Sequence, residues 1–228
     1  MTYNTNPRTR GIFITGTDTG VGKTYVAAGI AAELWRRGVN VGVMKPAETG
    51  CVAREGRLVP RDALRLMRAA HVRDSLALVN PYRFKRPLAP SIAAELEKTN
   101  INPHTIVAAY RKLLSRHEVM LVEGAGGIMV PLRGEYTFLD LAQVLGLPVV
   151  IVARPGLGTI NHTLLTVSAL RERQLSVAGI VINYAREQKV GHAETTSPAV
   201  IEKISGVKIW GILPHGSRQF KAFAENVL

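Results

Sequence analysis

Cysteine is almost absent: Cys51 is the single one in 228 residues. A disulfide framework and a cysteine-based zinc cluster are therefore both excluded. One unpaired thiol suits a reducing compartment, and the cytoplasm is the expected location. Long apolar runs are lacking too. The longest, Leu147 to Ala153, falls far short of the ~20 residues that cross a bilayer, so no membrane partner is expected. The polar start MTYNTNPRTR has no apolar stretch of the secretory kind, and the first ten residues are expected to form a flexible tail. Aromatic residues are 6%, which leaves little material for stacking on bases. Nucleic acid is accordingly not expected as a partner.

What is present is an ordinary globular balance, 46% hydrophobic and 20% charged, in a chain long enough to bury a core unaided. The charge is less ordinary. Lys and Arg number 29 against 17 acids, a net charge of +12 that attracts polyanions, including nucleotides and phosphorylated substrates. Arg54, Arg57, Arg61, Arg65 and Arg68 are concentrated in one stretch, and the last three share a helical face. A solvated face and an anion-binding surface both remain open for them.

Short apolar runs alternate with longer amphipathic ones. Strands are expected at Gly11–Thr15, Val39–Met44, Val119–Val122, Leu147–Ala153, Val177–Asn183 and Val207–Leu213. Helices are expected at Thr24–Arg37, from Arg61 to about Ala70, at Ser91–Glu97, from the Asn102-Pro103 start to Arg116, at Thr137–Leu145, at Thr159–Gln174 and from Ser197-Pro198 onward. The stretch from Lys45 to Pro60 shows no period and reads as a loop. Such alternation implies crossover units and a doubly wound, mostly parallel α/β sheet with helices on both faces, as one domain over 1–228. Ligands of open parallel sheets bind beyond the carboxyl ends of the strands. Those ends carry a Gly/Thr loop, Lys45, Glu123, the loop after Ala153, and Asn183.

The strongest local signal is Gly16-Thr-Asp-Thr-Gly-Val-Gly-Lys-Thr24, set between the first strand and the first helix. Glycines let backbone wrap a phosphate, and the N–H groups of a helix start favour its charge. Lys23 would reach the terminal phosphates and the Thr24 hydroxyl would ligate magnesium. The strict phosphate-loop pattern has Gly six residues before the lysine, where this chain has Thr17. Lys45, in KPAETG after the second strand, is placed to neutralise a transferring phosphoryl group. Asp62 and Glu123 are the candidate carboxylates for Mg²⁺, which takes one or two of them with phosphate oxygens and water, though for Asp62 a place at a helix N-terminus favoured by the dipole is an equally good reading. Asn161 lies near the start of a helix, where on local grounds capping it is the stronger reading. No Gly-x-Ser-x-Gly turn or Cys/His pairing indicates a covalent nucleophile.

Taken in order, GTDTGVGKT at 16–24, KPAETG at 45–50, RDALRL at 61–66, NPYRFKRPLAPSIAAEL at 80–96, VEGAGGIMVPL at 122–132 and GLGTINHTLLT at 156–166 resemble the dethiobiotin synthetases of biotin biosynthesis. The resemblance implies a phosphate-loop NTPase fold and a reaction in which 7,8-diaminopelargonate, CO₂ and ATP give dethiobiotin, ADP and phosphate with Mg²⁺. It implies that Gly20, Val21, Gly22, Lys23, Thr24 and Tyr25 cradle the phosphates, and that Thr24, Asp62 and Glu123 hold the metal. Lys23, Lys45 and Thr49 would surround the carbamate and the phosphoryl group. Gly124, Ala125 and Gly126 would approach substrate or nucleotide. Asn183 would read the adenine, with Pro214 and His215 nearby. It further implies a homodimer in which Gly158 to Asn161 serve the partner's substrate. Some members of that family use a tyrosine near the substrate tail, and Gly191 to Ser197 contains none. A nucleotide-switch ATPase of the partition type shares the fold, but would carry lysine at the position of Asp18 and aspartate at that of Glu123.

Overall fold

A computed structural model describes residues 10–228. The tail expected over the first ten residues falls, up to residue 9, outside the described residues; Arg10 already opens the first strand.

In chain order, β1 (Arg10–Gly16) leads into α1 (Lys23–Arg36) and β2 (Val41–Met44). Next come the two-residue β3 (Ala47–Glu48) and a hairpin of β4 (Val52–Arg54) and β5 (Arg57–Val59). Helices α2 (Arg61–Ala69) and α3 (Leu76–Val79), β6 (Tyr82–Arg83), and helices α4 (Pro90–Leu96) and α5 (Pro103–Leu114) lead to β7 (Val119–Gly127). A second hairpin, β8 (Pro131–Arg133) with β9 (Tyr136–Thr137), precedes α6 (Phe138–Leu145). The chain ends as β10 (Val149–Ala153), α7 (Thr159–Glu172), β11 (Val177–Asn183), α8 (His192–Ser205), β12 (Ile209–Leu213) and α9 (Lys221–Glu225).

Six strands form one parallel sheet in the order β12-β11-β10-β1-β7-β2. Parallel neighbours require crossovers, and right-handed ones send the helix to opposite faces according to the direction of travel. The step from β1 to β2 therefore places α1 on one face, where it packs with α2 and α9, while α5 through α8 cover the other. With both faces covered, the central strands are apolar throughout: Ile12, Phe13 and Ile14 of β1 and all five residues of β10 are buried. In α1 the buried Val26, Ala27, Ile30, Ala31 and Leu34 recur at helical spacing and face the sheet. The strand order reverses around β1, and there the phosphate-loop motif emerges. No helix among the described residues is long and apolar enough to cross a membrane.

Local chemistry sets several boundaries as expected. Asn102 accepts from the His104 N–H at 3.0 Å, with Pro103 in the first turn of α5. Thr137 and Asp140 cap α6 reciprocally. Other boundaries differ. The stretch after Lys45 is not simply a loop, because β3 pairs with β6 and a small exposed hairpin follows. Strand β7 continues through Glu123 to Gly127, since its glycine-rich end still pairs with β1 at Gly16. Helix α8 starts at His192, not at Ser197-Pro198: the Glu194 carboxylate accepts the Gly191 N–H at 2.9 Å, and Pro198 lies inside the helix. Helix α9 was not expected. The strand beginnings at Val39, Leu147 and Val207 each move inward by two residues.

Candidate active site

The loop between β1 and α1 turns on two glycines in left-handed conformation, Gly20 at φ 78° and Gly22 at φ 91°. Gly22 is also a close approach: a Cβ there would meet the Asn183 side-chain nitrogen at 2.1 Å. From the end of β11, Asn183 Nδ2 donates to the Val21 carbonyl at 2.8 Å and so pins the loop to the sheet. Asn183 Oδ1 is buried and has no hydrogen-bond partner. The helix that follows has no side-chain cap, so its first N–H groups point into the space in front of the loop.

Lys23 and Lys45 are both buried. Lys23 Nζ donates to the Asp18 carbonyl at 3.0 Å. Its burial, and then the nearby Lys45 cation, push its pKa down to about 8. Lys45 Nζ donates to Glu123 Oε1 at 2.5 Å and to the Gly124 carbonyl at 3.1 Å, and lies 3.4 Å from Asp62 Oδ2. Burial works to lower Lys45, but Glu123 and Asp62 outweigh it and hold the amine above the ordinary lysine value. The Thr24 hydroxyl donates to the same Glu123 Oε1 at 2.8 Å. Residues 99 positions apart are thus joined at one carboxylate oxygen.

Glu123 Oε2 is buried and unpartnered. With the Thr24 hydroxyl and the Asp62 carboxylate it makes an all-oxygen donor set, which fits a hard cation such as Mg²⁺. Among the described residues no group of three or more His, Cys, Asp or Glu is arranged to hold a metal by itself. Magnesium does not need one, because it borrows phosphate oxygens and water.

These groups open onto a cavity of about 830 Å³. Gly20, Gly22, Lys23, Thr24 and Tyr25 line it from the phosphate loop, and Lys45, Thr49 and Asp62 from the next segment. Glu123, Ala125 and Gly126 line the β7 side, and Asn183 and His215 the far end. Val21 and Gly124 contribute their carbonyls to Asn183 and Lys45, behind this surface. Pro214 sits beside His215 without lining the cavity. Gly158 and Asn161 are not brought to it: Gly158, at φ 88°, is the N-cap of α7, and Asn161 lies exposed in that helix's first turn without capping it.

Several residues that line the cavity lie outside the site expected from the sequence, Glu48 and Arg65 among them. Arg65, one of the arginine stretch, is exposed at the rim, with its guanidinium 5.3 Å from the centroid of the Tyr25 ring. Tyr25 is itself fixed by donating to the Ser217 carbonyl and by an edge contact with Phe220. Glu48 is buried, and its carboxylate accepts the N–H groups of Asp62 at 2.9 Å and Ala63 at 3.0 Å. The position of Glu48 inside KPAETG was its only sequence signal.

Residues 10–218 match the family described as AAA domain. The ATP-dependent dethiobiotin synthetase BioD of Thermodesulfovibrio yellowstonii is 43% identical over 212 residues, covering 90% of this chain and 88% of that protein. The protein of the same name from Anaeromyxobacter sp. (strain Fw109-5) is 47% identical over 206 residues, covering 90% of each. Among solved structures, a ParA family ATPase from Chlorobium tepidum TLS superposes with a TM-score of 0.55 at 16% identity, covering 98% of this chain and 92% of that one. The Signal Recognition Particle 54 kDa protein from Aeropyrum pernix K1, in complex with GDP, gives a TM-score of 0.51 at 17% identity, covering 98% of this chain and 47% of that one. At such identities these two likenesses concern the fold alone. The relatives above 40% identity reach further, and by them the chain belongs to the ATP-dependent dethiobiotin synthetase family, ligases built on the phosphate-loop α/β fold.

Proposed function

We propose that this chain joins CO₂ to 7,8-diaminopelargonate at the expense of ATP, closing the ureido ring of dethiobiotin in the cytoplasm. The observation that carries the reading is the buried Lys45–Glu123–Thr24 chain beside Lys23: two lysines and an oxygen donor set at the floor of a cavity that no serine or cysteine lines among the described residues.

In this reading one substrate amine captures CO₂ as a carbamate. A carbamate oxygen attacks the γ-phosphorus of ATP and displaces ADP, giving a carbamic–phosphoric anhydride. The second amine then attacks the carbonyl carbon and expels phosphate. Negative charge shifts among oxygens throughout, so preorganised cations and N–H donors are the appropriate tools. The N–H groups from Gly20 to Tyr25 cradle the phosphates. Lys23 and Lys45 neutralise the transferring group, and Lys45 and Thr49 orient the carbamate. Thr24, Asp62 and Glu123 would hold Mg²⁺, which supplies charge neutralisation at the phosphates when bound.

Asn183 supports adenine as the base. Its Nδ2 is committed to Val21, so the unpartnered Oδ1 is left to accept from an exocyclic amine. His215 and Pro214 flank that end. Gly158 and Asn161 belong, in this proposal, to the site of a second subunit. Leu157 and Leu165 on that face are 88% and 61% exposed, which supports an apolar contact between copies.

The reading is tested by supplying ¹³C-bicarbonate, MgATP and the diamine, with mass detection of the product. Dethiobiotin one mass unit heavier is expected. Unlabelled product, or none, overturns the reading.

A further inference from the structure

Helix α2 begins without a cap of its own. The residue before it is Pro60, whose side chain bonds nothing, yet the N–H groups of the helix's second and third residues are satisfied. The acceptor is Glu48, which lies 14 positions upstream of Asp62. Its two oxygens take the N–H groups of Asp62 and Ala63, one each. Glu48 is only 5% exposed, and a buried carboxylate so placed is costly unless it is fully hydrogen-bonded.

The backbone that carries Glu48 is itself held firmly. The Lys45 N–H donates to the Val79 carbonyl at 2.8 Å, and Asn80 Nδ2 donates to the Lys45 carbonyl at 2.7 Å. The Phe84 N–H donates to the Glu48 carbonyl at 2.8 Å, beside the β3–β6 pairing. One rigid segment thus presents Lys45 and, three residues later, the carboxylate that fixes where α2 starts. Asp62 is the second residue of that helix, and its side chain meets Lys45 at 3.4 Å.

We infer that Glu48 is a positioning residue for Asp62: by clamping the first turn of α2 it sets the Asp62 carboxylate against the Lys45–Glu123 pair. The inference rests on the proposed role of Asp62 as a magnesium ligand and goes beyond it, because Glu48 itself touches neither metal nor phosphate in this assignment. Outer partners that orient metal ligands typically change metal affinity or activity by about 10–100-fold when altered. Glu48→Gln keeps the shape but sets an amide against one N–H. Glu48→Asp keeps the charge but shortens the reach.

The test is titration of ADP into the full-length protein, with and without Mg²⁺, for Glu48→Gln, Glu48→Asp, Asp62→Asn and the Glu48→Gln/Asp62→Asn double variant. Melting temperatures identify any variant that fails to fold; the milder Glu48→Asp then carries the comparison. The expected result is about a tenfold loss of Mg²⁺-dependent ADP affinity in the Glu48 variants, with Mg²⁺-free affinity unchanged within about twofold. The double variant should lose no more than Asp62→Asn alone, because two residues acting through one contact are not additive. Equal losses with and without Mg²⁺, or multiplying losses in the double variant, overturn the positioning role. Glu48 variants that match wild type while Asp62→Asn is impaired also overturn it and leave the metal reading standing. An unimpaired Asp62→Asn overturns both.

Discussion

Lys45 and Glu123 lie 2.5 Å apart, with side chains 4% and 1% exposed, and they join the end of β2 to the middle of β7. A charge pair withdrawn from water this far is stable only while both members and their further hydrogen bonds persist. Lys45→Ala would leave Glu123 buried with only Thr24 for a partner. The expected cost is about 3–5 kcal/mol of folding stability, read as a lowered denaturant midpoint. Lys45→Met keeps most of the packing and should lower turnover by about 10²–10³-fold, the usual cost of one charge-stabilising donor. Turnover near wild type in a folded Lys45→Met would remove Lys45 from the reaction.

Gly20 and Gly22 share left-handed backbone but differ in surroundings. Nothing lies within 4 Å of a Cβ built at Gly20, whereas at Gly22 it meets Asn183. Gly20→Ala should therefore cost only the conformational term, about 1–2 kcal/mol. Gly22→Ala should cost more and weaken ADP binding by at least about tenfold, because Asn183 must move and release Val21. Calorimetric titration of both variants checks the order.

Asn183 serves the loop and, in the proposed function, the base. Asn183→Ala deletes the bond to the Val21 carbonyl and leaves that acceptor buried, a loss of about 1–3 kcal/mol. It should also narrow the preference for ATP over GTP. Competition binding of the two nucleotides measures this, and an unchanged preference would place base recognition elsewhere.

The low pKa of Lys23, about 8, gives a pH dependence of definite sign. A lysine depressed in the fold carries a penalty that is complete below that value. The penalty is relieved as pH rises from about 8 toward the unfolded value of 10.5, so this contribution to apo-protein stability increases across that window. Nucleotide phosphates favour the cation and should restore its proton. ADP binding is then accompanied by little proton uptake at pH 6.5 and about half a proton near pH 8. Titrations in buffers of different ionisation enthalpy measure the uptake, and Lys23→Met should abolish it.

Much of this arrangement was legible in the sequence because local chemistry specifies it. Apolar runs mark strands buried on both faces, and glycines followed by Lys23 and Thr24 mark a phosphate loop. Polar residues at or just past the ends of apolar strands, Asn183 and Lys45, are carried to the carboxyl edge of the sheet. What escaped depends on contacts between distant segments. Glu48 caps a helix from a different strand, and no window around Pro60 contains that information. For Arg65 the helical spacing leaves a solvated face and an anion-binding surface both open, and only the contact with Tyr25, from another helix, sets it at the cavity rim. Pro198 suggested a helix start, but Glu194 begins the helix earlier by holding the Gly191 N–H, and the helix then continues past the proline.

The most direct measurement of the central claim is the ratio of dethiobiotin formed to phosphate released, with MgATP, bicarbonate and the diamine each omitted in turn. The account predicts one dethiobiotin per phosphate in the complete mixture and no phosphate above background when the diamine is absent. Steady ATP hydrolysis without the diamine, or phosphate release with no dethiobiotin, would contradict it and favour a nucleotide switch on the same fold.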